Sequence, residues 1–564
     1  MEKFSEIQYV RPDFEAIEKS LDTCTQKMTE AETYAQARQT FLDFEKILED
    51  AYTMMTLVHI RHDVNTKNEF YDKEKQYLDE KSVLLTPKMK AFTLSLLASP
   101  CKEDFRKEFG EQFIRNQEEG VRLQNNEILP DMIQENKLVD EYSKAVAECH
   151  AEIEGKPCNL YGLLKYMQST DRSVRQEAFR QWAAFYEGVA PKLDEIYTKL
   201  VELRFSMAKK LGFDNVFDWI YLTRGHYDYT PAEVAAFRDA VKEYVVPACQ
   251  KLYEEKREKL GLEKLHWYDE SLNDPKGNAD PQGTPEELVA AAGEMYDELS
   301  PETSEFFRFM REYELFDLVT NPAKRLGGYC TELLSYKAPF IFSNFNGTSA
   351  DVDVLTHEAG HAFQAYLSAR CLPLLDLCGS TSDINEIHSM TMEHFAYPWM
   401  DKFFGEKAGE YRRNHLADAL CTIPYLVAVD EFQHRVFEKP GMTAEERYQA
   451  WKHIEEMYLP WRDYDGNEFL GKGGFWMQKQ HIFMYPFYYV EYALSQVCAF
   501  QFYGRMKEDR SQAWGDYLAL CRAGGTLSYK DLLKVAHLRS PFEKEVIQDV
   551  VGTVMQALES GKIL

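Results

Sequence analysis

Apolar residues recur at three- and four-residue spacing through about the first 260 residues, the period of helices that turn one face to a core. Phe41–Ile60 and Arg175–Gly212 show it most clearly, with charged residues on the remaining faces. No fixed-period repeat of the kind that builds a solenoid is present. The sharpest interruption is Asp269–Thr284, DESLNDPKGNADPQGT, whose Asp, Asn, Pro and Gly are turn formers; a helix start follows at Pro285-Glu286-Glu287. A softer boundary falls at Gln124–Pro130. The pattern changes between Arg325 and Thr348, where aromatic and β-branched residues between Gly-containing ends predict one or two short strands, in the manner of a hairpin. Thr348-x-x-Asp351 resembles a capping box, and DVDVLTHEAGHAFQAYLSAR after it predicts a helix of about five turns, ending at Arg370. A further helix is predicted from Asp383 to Pro398. The remaining C-terminal stretch reads as helical around a Gly-rich loop, Asp465–Trp476, in which Gly471–Gly474 reads as surface. The fold class is mainly α, with an N-terminal helical region over 1–125, a second region over 126–564 and a loop break at 269–284.

Size and charge narrow what such a chain does. With 564 residues, 45% of them hydrophobic and 14% aromatic, it is too long for one growing core and too apolar to be disordered. Asp plus Glu number 93 against 65 Lys plus Arg, a net charge of −28. That balance repels phosphate backbones and anionic lipid, so neither nucleic acid nor a membrane is the expected partner. The start, MEKFSEIQYVRPDFEAIEKS, has no apolar core of a signal peptide, and no run is long and apolar enough for a spanning helix. The 11 cysteines are an odd number without a C-x-x-C pair. Reduced thiols in a cytoplasm are expected.

One motif carries chemistry. His357-Glu358-Ala359-Gly360-His361 is an H-E-x-x-H sequence inside the predicted helix. Residues four apart on a helix lie on one side, about 6 Å apart at Cβ, so two imidazoles can reach one ion. Zinc takes such nitrogens at about 2.0–2.1 Å, and Glu358, turned beside them, is placed to act as a general base on water. Val352, Val354, Leu355, Ala359, Phe363 and Leu367 around the motif predict a largely buried helix, where an unpartnered His pair is costly. A catalytic zinc needs a third protein ligand. Gln364 and Leu367 exclude the extended motif that supplies a third His from the same helix. The following helix offers Glu386, His388, Glu393 and His394; Glu386 and Glu393, seven apart, share a face, and spacing alone does not choose between them.

HEAGHAFQ followed by Glu386 in EIHSMTMEHF resembles the oligoendopeptidase F family, within the thimet oligopeptidase group of zinc metallopeptidases. LGLEKLHWYD, MQSTDRSVRQEAF and GGYCTELLSYKAPFIFSNFNGT are similar to other stretches of that family, so the resemblance runs through most of the chain. It implies one zinc ion held by His357, His361 and Glu386, Glu358 as general base, and Glu393 as a carboxylate supporting a ligand from behind. It further implies that His481 and the tyrosines of HIFMYPFYYVEYALSQ bind peptide and stabilise the oxyanion, with Tyr485 and Tyr492 as the functional pair and Tyr489 as a substrate contact. The fold it implies is a large helical ellipsoid split by a deep channel that admits short, unstructured peptides. A Tyr or His hydrogen bond to a developing oxyanion suits that role, although a Tyr-rich helix at this spacing also packs plain cores.

The expected activity is therefore zinc-dependent endoproteolysis of short oligopeptides in the cytoplasm, with the strand around Lys337–Asn344 pairing to extended substrate. A helical zinc carboxypeptidase or dipeptidase shares the same motif, and a non-catalytic peptide-binding scaffold is the alternative of another class; an intact Glu358 opposes the scaffold. Monomer and dimer both remain open.

Overall fold

The computed structural model describes residues 1–321, 323–325 and 327–564. It is mainly helical; Phe41–Ile60 lies inside the long helix Tyr34–Val64, and Arg175–Gly212 falls on the helix Arg172–Lys210, which ends two residues earlier than that stretch. Helices Phe14–Glu30, Tyr34–Val64, Glu69–Ala98, Lys102–Phe109 and Glu111–Arg122 surround a core of their own. Its centre is aromatic: Phe41, Phe44, Phe92, Phe105 and Phe113 are buried together, with Phe44 and Phe92 stacked at 3.7 Å between ring centres. Two residues from far along the chain, Leu374 and Leu377, complete that core. A second, larger core runs through the remainder and is crossed by Ala408–Glu438 and Tyr489–Ala523.

Two small sheets interrupt the helices. The strands β1 (Ala151–Ile153) and β2 (Lys156–Cys158) form an antiparallel hairpin that the hydrophobic pattern did not announce. The strands β3 (Phe316–Val319), β4 (Tyr329–Leu333) and β5 (Ala338–Phe345) form a sheet in the order β3-β5-β4. β4 and β5 are the expected hairpin, paired with Cys330 opposite Ile341 and Leu333 opposite Ala338. Leu326, at the start of that stretch, lies outside the described residues. β5 reads APFIFSNF because it is covered on both faces, which removes the alternation of a half-exposed strand. It is also paired on both edges. Lys337–Asn344 therefore has no edge for a substrate strand; the outer edges belong to β3 and β4.

The motif helix spans Ala350–Cys371 and the next one Ser382–Phe395. The expected capping box does not form. Asp351 accepts the backbone N–H groups of Asn346 and Gly347 at 2.9 and 2.8 Å, while the Thr348 hydroxyl donates to Asn346 Oδ1. The acid thus closes the turn leaving β5 instead of binding back to its own N-cap. A true capping box occurs at Thr284 and Glu287, where Pro285–Leu299 begins after the 269–284 break. The Gly-rich loop is not surface throughout: a Cβ on Gly473 would lie 2.1 Å from the Tyr448 carbonyl oxygen, so that glycine marks tight internal packing. Among the described residues no helix is long and apolar enough to cross a membrane.

Candidate active site

The motif helix and Ser382–Phe395 cross in very close contact. A Cβ on Gly360 would stand 2.6 Å from Ser389 Cα and 2.7 Å from the His388 carbonyl oxygen, so only glycine permits this crossing. The crossing brings Glu386 to the two motif histidines. Glu386 Oε2 lies 3.3 Å from His357 Nε2 and 3.4 Å from His361 Nε2. The three ligand atoms fall within 4.8 Å of one another, and no other such group of His, Cys, Asp or Glu occurs among the described residues. His388 and His394, the other candidates in this helix, are fully buried elsewhere; burial pushes each imidazole down to about 3, so both are neutral packing residues.

Behind these three side chains stands a layer of acids and donors. Glu393 Oε1 is 2.5 Å from His357 Nδ1, which turns His357 Nε2 toward Glu386. The other Glu393 oxygen is 2.9 Å from His415 Nε2, and Tyr397 Oη lies 2.7 Å from His415 Nδ1. Burial opposes charge on His415, but the hydrogen bond and charge of Glu393, with Asp353, raise it to about 9. Burial likewise works against the Glu393 carboxylate and is outweighed by His357 and His415, which bring it down to about 2. Glu386 is held well below the usual carboxylate range: the imidazoles of His361 and His357 overcome its burial. Its Oε2 also accepts the Ser389 hydroxyl at 2.9 Å, and its Oε1 the Tyr488 hydroxyl at 3.1 Å. Glu358 differs from all of these. Burial dominates and pushes its carboxyl up, with only partial opposition from His357 and His361. A carboxyl raised in this way is a better proton acceptor near neutral pH.

A cavity of about 340 Å³ opens on this group. One wall is His357, Glu358, His361 and Glu386, another holds Tyr488 and Tyr492, and Gly328–Glu332, on and before β4, completes the lining. Two imidazole nitrogens and a carboxylate oxygen converge beside an open cavity, backed by Glu393, and this N/N/O donor set could hold a metal ion.

The Tyr-rich segment is placed less simply. Tyr492 lines the cavity and Tyr489 is buried against Tyr425, while Tyr485 is 48% exposed. The His481 ring stacks on Tyr488 at 5.7 Å between centres and has Tyr489 at 4.8 Å. Burial, with Lys479 nearby, lowers the imidazole to about 3, so it is neutral and able to donate one hydrogen bond. Tyr488 was not singled out from the sequence. The signal was available: it lies four residues before Tyr492, on the same side. His415 and Ser389 carry no local pattern that marks them.

Residues 165–551 match peptidase family M3, and residues 4–123 match the peptidase M3 N-terminal domain. The chain belongs to peptidase family M3. This M3 peptidase is 22% identical to oligopeptidase PepF of Bacillus subtilis over 95% of its own length and 80% of the relative's. It is similar to a solved structure of PZ peptidase A with an inhibitor, at 43% identity and a TM-score of 0.94, each chain covered to 99%. It also resembles a crystal structure described as an oligoendopeptidase F of Bacillus anthracis, at 38% identity and a TM-score of 0.90, over 99% of this chain and 98% of that one. The expected mainly helical fold and family are thus both met.

Proposed function

We propose that this M3 peptidase is a zinc-dependent endopeptidase of short, unstructured oligopeptides, acting in the cytoplasm. The observation that carries the reading is the convergence of His357, His361 and Glu386 beside Glu358 in one open cavity. His357, His361 and Glu386 would hold one zinc ion. When bound, the ion supplies Lewis-acid polarisation of water and of the scissile carbonyl. Glu358 takes a proton from the attacking water at a carboxylate oxygen and returns it to the leaving amine. Tyr488 and Tyr492, on the other wall, and the neutral His481 behind them donate toward the developing oxyanion. Glu393 keeps His357 in the tautomer that turns Nε2 to the ligand position. The open edge of β4 lines the cavity and suits an extended peptide added as a fourth strand. An N-terminal unit over 1–125, with its own aromatic core, and a catalytic unit over 126–564 complete the enclosure that admits unfolded chains only.

The names of the relatives, oligopeptidase PepF and oligoendopeptidase F, point the same way. Cleavage-site mapping by mass spectrometry on blocked oligopeptides, with and without a chelator, tests the reading. Internal cuts that vanish with the chelator support it. Trimming from one end alone would make the protein a carboxypeptidase or dipeptidase, and no cleavage would leave a binding scaffold.

A further inference from the structure

A second charged layer stands behind Tyr488. Glu491, three residues on, is fully buried. Arg224, just past the helix Val216–Thr223, meets it as a fork, with Nε 2.7 Å from Oε1 and Nη2 2.6 Å from Oε2. His226 Nε2 stands 2.9 Å from the same Oε1. Arg224 Nη2 also donates to Ser382 Oγ at 3.2 Å, and Ser382 is the first residue of the helix that carries Glu386. The guanidinium carbon lies 4.4 Å from the centre of the Tyr488 ring. Arg224 therefore contacts the Tyr488 ring directly and the first residue of the helix that carries Glu386.

A buried ion pair is a poor source of stability, because desolvation of the two charges offsets most of their attraction. What the fork does provide is a fixed plane, since a bidentate guanidinium–carboxylate pair has one geometry. A cation held over an aromatic face favours one ring orientation over its rotamers. Tyr488 follows a segment with little regular structure of its own: Phe487 has φ of +60°, and the helix begins only at Tyr489. The helical φ/ψ of Tyr488 sets where its Cβ points, and Arg224 supplies the hold on the ring that the backbone does not.

We propose that Arg224, clamped by Glu491 and His226, is a positioning residue for peptide hydrolysis that acts through Tyr488. It holds the phenol at the Glu386 edge of the cavity, where the hydroxyl, which donates to Glu386 Oε1 when no peptide is present, turns its one O–H to the reacting carbonyl. The proposal rests on the reading of this cavity as a peptidase centre.

The test uses the full chain and four proteins: wild type, Arg224→Met, Tyr488→Phe and the double variant. Arg224→Met is expected to lower kcat by about tenfold or more with KM changed by less than about threefold, the signature of an interaction used in the transition state. Added to Tyr488→Phe, the same change is expected to cost less than about threefold, because two residues acting as one unit are not additive. Hydrogen exchange on the peptide-free protein gives a readout independent of turnover: residues 485–492 should exchange faster in Arg224→Met, with zinc content per chain unchanged. Equal losses of kcat in both backgrounds, or unchanged exchange, would overturn the proposal. If wild type cleaves nothing, the peptidase reading fails, and hydrogen exchange still decides whether Arg224 anchors the segment. If Arg224→Met does not fold, Arg224→Lys, which keeps the charge without the fork, carries the same comparison.

Discussion

The two walls of the cavity are built by different means. The wall proposed to face the metal rests on two regular helices that cross at Gly360, and each functional side chain projects at an angle fixed by helical period. The tyrosine wall rests on a five-residue helix, Gln480–Met484, then Tyr485, then Phe487 with positive φ, then a new helix at Tyr489. On the first wall an offset of four residues translates directly into direction. On the second the register restarts in the middle, so an offset counted from His481 does not say where a tyrosine points. Tyr485, four after His481, faces outward; Tyr488, seven after it, meets Glu386. Regular backbone carries geometric information in sequence spacing, and irregular backbone erases it.

Four experiments break or sharpen this contrast. The largest effect belongs to the metal-facing wall: Glu358→Gln should retain zinc and lose about 10³–10⁴-fold in kcat. Full activity in that variant would remove the base from the mechanism. On the other wall Tyr488→Phe should lower kcat by about 100-fold, the size of one lost oxyanion donor. Next comes Glu393→Gln, which leaves His357 without its carboxylate and should weaken zinc affinity by about 10–100-fold, read by chelator competition. Unchanged affinity would mean that His357 is oriented by packing alone. The smallest effect is expected for Tyr485→Phe, within about threefold of wild type, because its side chain is nearly half exposed. A Tyr485 effect larger than that of Tyr488 would reverse the assignment of the two tyrosines.

The helical fold and the metal-facing wall were legible because both rest on periodicity. Apolar spacing marks a helix, and H-E-x-x-H marks one side of it. The choice of Glu386 over Glu393, His388 and His394 was not legible from spacing, since a seven-residue offset puts both acids on one face. Depth along that face decides it, and depth is set by the contact of Gly360 with Ser389. An acid three residues after Thr fits both a capping box and the turn before it, and Asp351 takes the turn, where it binds two backbone N–H groups. β5 drew attention as an aromatic strand, but strand composition reports burial, and burial is greatest where both edges are already paired. Arg224 lies far in sequence from both Glu491 and Tyr488, and nothing local ties it to them. Long-range ion pairs of this kind leave no pattern in a single chain.

The segment between the two ligand-bearing helices has a wider consequence. Leu374 and Leu377 sit in the aromatic core of the first hundred residues, and Glu45 from that region accepts the backbone N–H groups of Leu375 and Asp376 at 3.4 and 3.3 Å. Where ion binding and folding of the amino-terminal bundle are coupled through this segment, the coupling is reciprocal: each favours the other by one and the same coupling free energy. A substitution at Phe44 or Phe92, remote from every reacting atom, becomes a lever on occupancy of the centre.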